Sequence, residues 1–242
     1  MSERLAIVTG TSAGIGRALA QLLLSRGWSV VGISRSGVDF PQPGYRHLAH
    51  DLTDAAGLET ALGPALLAEL AAAPWQRIGL VNNAAAMGQL KPIERWTPEG
   101  QLRVYATNVV APTWLMGWLA RTVPADRSLR IVNLSSGASG LPIPGLGDYG
   151  SSKAALRHVG ATFAAEHEGR DLAVLSYEPG VVETAMQETA RAQSPADFPS
   201  QPLFLEFARS GRSATPAQVV PTIADFLENV EARGFSEARF GG

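Results

Sequence analysis

The chain has 242 residues, of which 45% are hydrophobic and 17% are charged, without any tract of biased composition. A chain of this length and composition buries a substantial core, which argues against disorder. The formal net charge is -2 and arginines are scattered among acidic residues, so neither nucleic acid nor an anionic membrane surface is an expected partner.

The first four residues lead directly into an apolar strand, without the pattern of a secretory signal. No apolar stretch approaches the roughly 20 residues that a membrane helix needs. The sequence has no cysteine, and its four histidines form no recognisable ligand cluster. We therefore expect a cytoplasmic protein without a membrane anchor or a metal ion.

Apolar strands and helical patterns alternate along the chain, which is typical of a doubly wound parallel sheet. Strands are predicted at residues 5–9, 29–34, 45–49, 78–82, 129–134 and 173–177. Helices are predicted after the first glycine-rich turn and at about 54–72, 98–122, 149–168 and 216–230. The three prolines within residues 194–202 are expected to exclude a regular element there. We expect a single α/β domain over residues 1–242, Rossmann-type with helices on both faces, and a substrate flap at about 185–212.

Three closely spaced glycines lie between the first predicted strand and the first predicted helix. Gly10, Gly14 and Gly16 allow the backbone to approach a pyrophosphate, while the start of the helix offers unpaired N–H donors. Glycines at this spacing in an arbitrary loop would indicate only a turn. Their position between a strand and a helix favours a dinucleotide site.

The tip of the second strand indicates which dinucleotide is bound, because an acidic side chain there binds the ribose 2′-hydroxyl and repels a 2′-phosphate. The residues here are Ser34, Arg35 and Ser36, and none of them is acidic. An arginine at this position pairs well with a phosphate. Arg35 therefore favours NADP(H), and the alternative is that it is an ordinary surface arginine.

A candidate reaction centre lies in the second half of the chain. Tyr149 and Lys153 are four residues apart at the start of a predicted helix, so their side chains project from one face. An adjacent ammonium stabilises a phenolate and lowers the pKa of a tyrosine from its ordinary value of about 10. Ser136 follows a predicted strand at the carboxyl edge of the sheet, where open α/β folds bind ligands. Each feature alone is common on protein surfaces, so the chemical interpretation depends on their combination.

With these motifs the chain resembles the short-chain dehydrogenase/reductase family across nearly its full length. The matching segments are residues 9–16 for the TGxxxGxG loop, 51–52 for the adenine-side pair, 82–84 for the NNAG segment with Ala85 replacing its glycine, 149–153 for YxxxK, and 179–180 with Thr184 for the nicotinamide clamp. The resemblance implies that Tyr149 is the general acid, that Lys153 binds the nicotinamide ribose, and that Ser136 orients the carbonyl. It also implies that Asn108 supports a water-linked proton relay to Lys153.

The resemblance and the position of Arg35 together give one set of cofactor residues for NADP(H). They are Gly10, Ser12, Gly14, Ile15, Gly16, Arg35, Ser36, Asp51, Leu52, Asn83, Ala84, Ala85, Tyr149, Lys153, Pro179, Gly180, Val182 and Thr184. Many NADP-using members carry a second basic residue in the glycine loop. That position is Ala13 here, so the cofactor preference rests mainly on Arg35.

Three further segments, at residues 90–94, 135–140 and 179–187, resemble the sepiapterin reductase-like branch, and within it the bacterial benzil reductases. The resemblance implies a reductase of vicinal dicarbonyls and related hydrophobic ketones. Its expected pocket walls are residues 86–90, 141–146, Tyr177 and 186–207, although Phe204 and Phe207 are equally well explained as core or subunit contacts.

Two other functions remain open: an NADP-linked alcohol dehydrogenase using the same residues in reverse, and a dinucleotide-binding regulator without catalysis. The complete set of Ser136, Tyr149 and Lys153 favours an enzyme. Family resemblance also implies a homodimer or homotetramer formed through the predicted helices at 98–122 and 149–168. Trp114, Met116 and Trp118 are candidate contacts there, or else core residues.

Overall fold

The computed structural model describes residues 3–38, 40, 42–211 and 213–241. Its strands are β1 (Arg4–Thr9), β2 (Ser29–Ser34), β3 (Tyr45–Ala49), β4 (Arg77–Asn82), β5 (Ser128–Leu134), β6 (Leu172–Glu178) and β7 (Gly234–Arg239). They form a seven-stranded sheet in the order β3-β2-β1-β4-β5-β6-β7. Every neighbouring pair is parallel. Because of this arrangement, the carboxyl ends of the strands share one edge of the sheet.

Helices connect the strands. They are α1 (Gly14–Ser25), α2 (Ala55–Gly57), α3 (Gly63–Ala71), α4 (Pro98–Tyr105), α5 (Ala111–Thr122), α6 (Gly147–Glu166), α7 (Ala185–Arg191), α8 (Gln201–Arg209) and α9 (Pro216–Glu228). A π-helical turn, Leu58–Leu62, joins α2 to α3, and a second, Ala106–Val110, joins α4 to α5. The sequence predicted one continuous helix over α2 and α3, and another over α4 and α5.

Side chains of the strands point alternately to two apolar cores, one on each face of the sheet. In β1, Leu5 and Ile7 pack into the core that includes Leu115 of α5 and Leu156 of α6. Ala6 and Val8 pack into the opposite core with residues of α1 and α9. The predicted fold class, a parallel α/β sheet with helices on both faces, is confirmed.

Most elements lie where the sequence predicts them. The strands at 29–34 and 45–49 have the predicted limits, and the other four predicted strands extend one residue further at one or both ends. Strand β7 and helices α7 and α8 were missed. We expected the prolines to exclude a regular element from residues 194–202, and this is wrong for the last two residues of the segment. Pro202 lies in the first turn of α8, where a proline is tolerated.

The predicted flap packs over the carboxyl edge of the sheet; Arg212, within its predicted limits, lies outside the described residues. A third apolar cluster, here called the capping cluster, is formed by Leu90, Leu146, Ala190, Phe198 and Phe204. Phe198 is fully buried and meets Phe204 edge to face, with ring centroids 5.3 Å apart. Arg95 donates to the carboxylate of Asp197 at 2.5 Å. The flap is therefore docked by both apolar and polar contacts.

Candidate active site

A cavity with a volume of about 1470 Å³ opens at the carboxyl edge of the sheet. Its lining comes from the glycine-rich turn, the ends of β2, β4, β5 and β6, the start of α6, and the flap. Of the predicted site residues, all line this cavity except Gly16, Ser36 and Asn108. The structure therefore brings together residues that are up to about 170 positions apart in the chain.

The glycine-rich turn forms a narrow cradle beside the start of α1. Gly10 has a φ of +75°, and a Cβ added at Gly16 would lie 2.3 Å from the carbonyl oxygen of Gly10. No side chain caps α1 at Ala13, so its first backbone N–H groups stay available to a ligand. This backbone cradle fits the pyrophosphate of a dinucleotide.

Thr9, at the end of β1, fixes this cradle to the neighbouring strand. Its hydroxyl oxygen accepts hydrogen bonds from the backbone N–H of Asn83 at 3.0 Å and of Ala84 at 2.9 Å. The amide of Asn83 donates in turn to the carbonyl oxygen of Thr9 at 2.8 Å. Thr9 was not predicted as a site residue, although it opens the glycine motif.

The cavity extends to the tips of β2 and β3. Arg35 is exposed there and forms no hydrogen bond or ion pair with the described residues. Asp51 accepts hydrogen bonds from the N–H and the hydroxyl of Thr53, and the first of these is the main reason why its pKa lies below the ordinary value. The charge of Arg35 contributes to the same shift. Arg35 thus lies close to Asp51 with its guanidinium unoccupied.

Ser36 and Leu52 support this end of the cavity. The carbonyl oxygen of Ser36 accepts a hydrogen bond from the Ser34 hydroxyl at 2.8 Å, which closes the turn after β2. Leu52 lines the cavity and is 7% exposed, as part of one core. Ser36 follows Arg35 in the chain, and Leu52 lines the same cavity as Arg35.

Tyr149, Lys153 and Ser136 meet at the opposite end of the cavity. Lys153 is buried, its ammonium donates to the carbonyl oxygen of Leu134 at 2.6 Å, and it lies 5.7 Å from the centre of the Tyr149 ring. Burial lowers the pKa of Lys153 to about 8. Burial also raises the pKa of Tyr149, and the Ser136 hydroxyl acts in the opposite direction. The net shift of the Tyr149 pKa is therefore upward, contrary to the lowering expected from its spacing to Lys153.

Asn108 lies in the π-helical turn between α4 and α5 and is fully buried. Its side chain accepts from the N–H of Ala86 at 2.8 Å and donates to the carbonyl oxygen of the same residue at 2.9 Å. It also donates to the hydroxyl of Ser152 at 2.9 Å, and Ser152 donates to the carbonyl oxygen of Tyr149 at 2.6 Å. The side chain thus ties the loop after β4 to the helix that carries Tyr149 and Lys153.

The segment after β6 returns to the glycine-rich turn. Gly180 has a φ of +72°, Val182 is buried and pairs with Ala214 in an isolated bridge, and Thr184 precedes α7. A Cβ added at Gly14 would lie 3.4 Å from the methyl carbon of Thr184. The predicted clamp residues therefore close one side of the same cavity.

Comparison with known proteins agrees with this geometry. The family model for short chain dehydrogenases matches residues 4–195. The chain belongs to the short-chain dehydrogenase family. Family membership makes it an oxidoreductase, and the cofactors of this family are nicotinamide dinucleotides.

Individual relatives support the finer resemblance drawn from the motifs. This short-chain dehydrogenase is 30% identical to benzil reductase ((S)-benzoin forming) of Bacillus subtilis (strain 168), over 94% of this chain and 95% of that protein. It is 32% identical to the sepiapterin reductase of Xenopus laevis over 78% of each chain. A solved short chain dehydrogenase/reductase from Saccharomyces cerevisiae shares the fold with a TM-score of 0.84, at 22% identity over 99% of this chain and 96% of that one.

The remaining part of the cavity of this short-chain dehydrogenase lies beside Tyr149 and has both apolar and polar walls. Leu141, Met186, Leu203, Phe204 and Phe207 contribute to it, together with the polar Glu178, Lys91 and Arg103. Tyr177, which was predicted at the pocket, belongs to one core instead. Met116 and Trp118, which the sequence left open between core and subunit contact, pack in the other core. The hydroxyl of Tyr177 donates to the carbonyl oxygen of Val219, which explains how this polar side chain is buried.

Among the described residues, no helix is long and apolar enough to span a membrane. In the same part of the chain, no group of three or more acidic or histidine side chains is arranged to hold a metal ion.

Proposed function

We propose that this short-chain dehydrogenase is an NADPH-dependent carbonyl reductase, with vicinal diketones and related hydrophobic ketones as its substrates. The observation that carries the proposal is the single cavity shared by the glycine-rich cradle, Arg35, and the group of Ser136, Tyr149 and Lys153. The similarity to benzil and sepiapterin reductases supports carbonyl reduction. The apolar walls around Leu141, Met186 and Phe207 suit a hydrophobic ketone.

Each of the proposed catalytic residues has a separate role in the reduction. When bound, NADPH would supply the hydride for the carbonyl carbon. Ser136 holds the carbonyl oxygen, and Tyr149 donates its phenolic proton to that oxygen, so an alcohol and a tyrosinate result. The raised pKa of Tyr149 keeps the phenol protonated before the reaction. Lys153 then stabilises the tyrosinate by its charge, while Asn108 holds the adjacent loop.

In this proposal, further residues of the predicted set hold NADPH. The turn at Gly10, Ser12, Gly14 and Ile15 would hold the pyrophosphate, and Gly180 with Thr184 would hold the nicotinamide side. Arg35 would bind the 2′-phosphate because its guanidinium is exposed and unoccupied.

Cofactor consumption tests the proposed reaction. Loss of NADPH absorbance should accompany reduction of benzil and phenyl diketones, with slower turnover on simple aldehydes. Tyr149→Phe should lower kcat by at least about 100-fold, because it removes the proton donor, while the Kd for NADPH stays unchanged. Tyr105→Phe is a matched control. Among the described residues, the exposed Tyr105 hydroxyl forms a side-chain hydrogen bond only with the hydroxyl of Ser151. Full activity of Tyr149→Phe would contradict the assignment.

The cofactor preference has its own test at Arg35. Arg35→Asp removes the partner of the 2′-phosphate and adds a charge that repels it, so the ratio of kcat/KM for NADPH over NADH should fall by about 100-fold or more. Arg46→Asp serves as the control, because Arg46 is an exposed arginine that pairs with Glu69 outside the cavity. An unchanged ratio in Arg35→Asp would mean that other groups read the phosphate.

We also propose that the enzyme forms a homodimer or homotetramer through the face of α4 and α6. Leu102 and Val110 are 69% and 45% exposed at or near this face, although both are apolar. Light scattering on wild type and on Leu102→Glu tests the assembly, which the charged side chain should weaken.

A further inference from the structure

A buried carboxylate lies next to the candidate proton donor, and the proposed reaction does not use it. Asp148 is 0% exposed in the first turn of α6. Its Oδ2 accepts the backbone N–H of Gln89 at 2.9 Å, and its Oδ1 accepts that of Tyr149 at 2.8 Å. Within the described part of the chain no cation pairs with it. A buried carboxylate satisfied only by backbone donors holds those two backbone segments together.

The loop that Asp148 holds has an unusual backbone. Gly88 has a φ of +92°, and a Cβ added there would lie 2.2 Å from Oδ1 of Asp148. Only glycine therefore allows the loop to lie against the carboxylate. Two residues later, Leu90 has a φ of +54°, a conformation that non-glycine residues rarely adopt. The surrounding contacts must impose this strained backbone.

The same loop forms one wall of the cavity. Residues 84–89 line it, whereas Leu90 inserts its side chain into the capping cluster beside Phe198. Two of the anchors of this wall are Asn108, at Ala86, and Asp148, at Gln89. Both anchors lead to the first two turns of α6, which carry Tyr149. The position of the wall relative to the proton donor is thus set by these two anchors.

We infer that Asp148 is a positioning residue that fixes this wall against Tyr149 and thereby determines how large a carbonyl substrate the cavity accepts in a productive orientation. The inference rests on the proposed reductase function. Asp148 touches neither the substrate nor the cofactor in this role. It acts through the backbone of Gly88 and Gln89.

Substrate size provides the kinetic test. Asp148→Ala should raise the KM for benzil by about tenfold, because a displaced wall no longer orients a bulky ketone, and should change the KM for 2,3-butanedione less than about threefold. The Kd for NADPH, measured by fluorescence, should stay unchanged. Asp54→Ala is the matched control: Asp54 likewise accepts a backbone N–H, from Gly57, at a helix start outside the cavity. Equal losses on both ketones would overturn the inference.

A second measurement does not depend on turnover. Hydrogen exchange of the backbone amides at residues 84–91 should accelerate in Asp148→Ala and in Asp148→Asn, which keeps only one acceptor oxygen, but not in Asp54→Ala. Gly88→Ala should accelerate the same amides, and the effect of combining it with Asp148→Ala should be smaller than the sum of the two. Unchanged exchange at residues 84–91 overturns the inference even if both ketones are reduced. Accelerated exchange in an enzyme that reduces neither ketone supports the positioning role of Asp148 and overturns the proposed substrates.

Discussion

Lys153 shows how one buried side chain links the reaction centre to protein stability. Its ammonium donates to the carbonyl oxygen of Leu134 from a site where burial lowers its pKa to about 8. Burial disfavours the charged form because the protein interior solvates a charge less well than water does. Keeping Lys153 charged in the folded protein therefore lowers the free energy of unfolding, by an amount that depends on pH.

The sign of this dependence follows from the two pKa values. Between about pH 8 and 10.5 the unfolded chain binds a proton on Lys153 that the folded chain has lost, so the free energy of unfolding rises with pH, by at most about 1.4 kcal/mol per unit. Lys153→Met has no such group. We expect the variant to be the more stable protein near pH 7, and its advantage to shrink between about pH 8 and pH 10. Urea unfolding at several pH values measures this, and parallel curves would contradict it.

At the residue scale, the sequence predicted which side chains lie together in the cavity, but it did not predict the direction of the change in the Tyr149 pKa. The spacing of Tyr149 and Lys153 and the resemblance to a family placed them at one cavity end. The upward direction of the change in the Tyr149 pKa could not be predicted. It depends on burial by the capping cluster, whose members come from distant segments of the chain. Asp148 and Thr9 were missed for a similar reason, since their partners are backbone groups that no side-chain pattern reveals.

At the scale of elements, strands and long helices were predictable, whereas the short helices of the flap were not. Strand limits follow from apolar runs, which in a parallel sheet covered on both faces are nearly continuous. Prolines in residues 194–202 suggested irregular structure, but Pro202 lies in the first turn of α8, where a proline is tolerated. Docking of this segment depends on Phe198, whose burial requires Leu146 and Leu90 from other parts of the chain.

Phe198→Ala tests this docking. Removing a fully buried phenylalanine leaves a void in the capping cluster, and we expect a local loss of about 3 kcal/mol. Hydrogen exchange should accelerate in α7 and α8 but not in the central strands of the sheet. Phe207→Ala is the control, because Phe207 packs on Phe204 from the cavity side and is only partly buried. Equal exchange in both variants would show that Phe198 is not the anchor.

At the scale of the whole molecule, Arg130 connects three separate parts of the chain. Its side chain is fully buried in β5 and donates to carbonyl oxygens of Asn229, beyond α9, and of Asp171, before β6. It also forms an ion pair with the Asp171 carboxylate at 2.8 Å, and Arg233 approaches the same carboxylate at 3.0 Å. These contacts fix the connection that leads into β7, a strand missed from the sequence.

Arg130→Met should therefore destabilise the protein as a whole. It removes the hydrogen bond to the carbonyl oxygen of Asn229 and the closest partner of the Asp171 carboxylate, so we expect a loss of about 2–3 kcal/mol in the free energy of unfolding. Arg127→Met, which removes an ion pair with the exposed Asp126, should cost less than about 1 kcal/mol. Similar midpoints of urea unfolding for the two variants would contradict this account.

The π-helical turn at Ala106–Val110 has a consequence for how the chain tolerates insertions and deletions. A π turn contains one residue more than an α-helical turn, and each residue advances a helix by about 100°. Deleting a single residue there would restore a regular helix, yet it would rotate Asn108 away from Ala86 and Ser152 or rotate α5 away from the core. The length of this helical run is therefore as constrained as the identity of its asparagine.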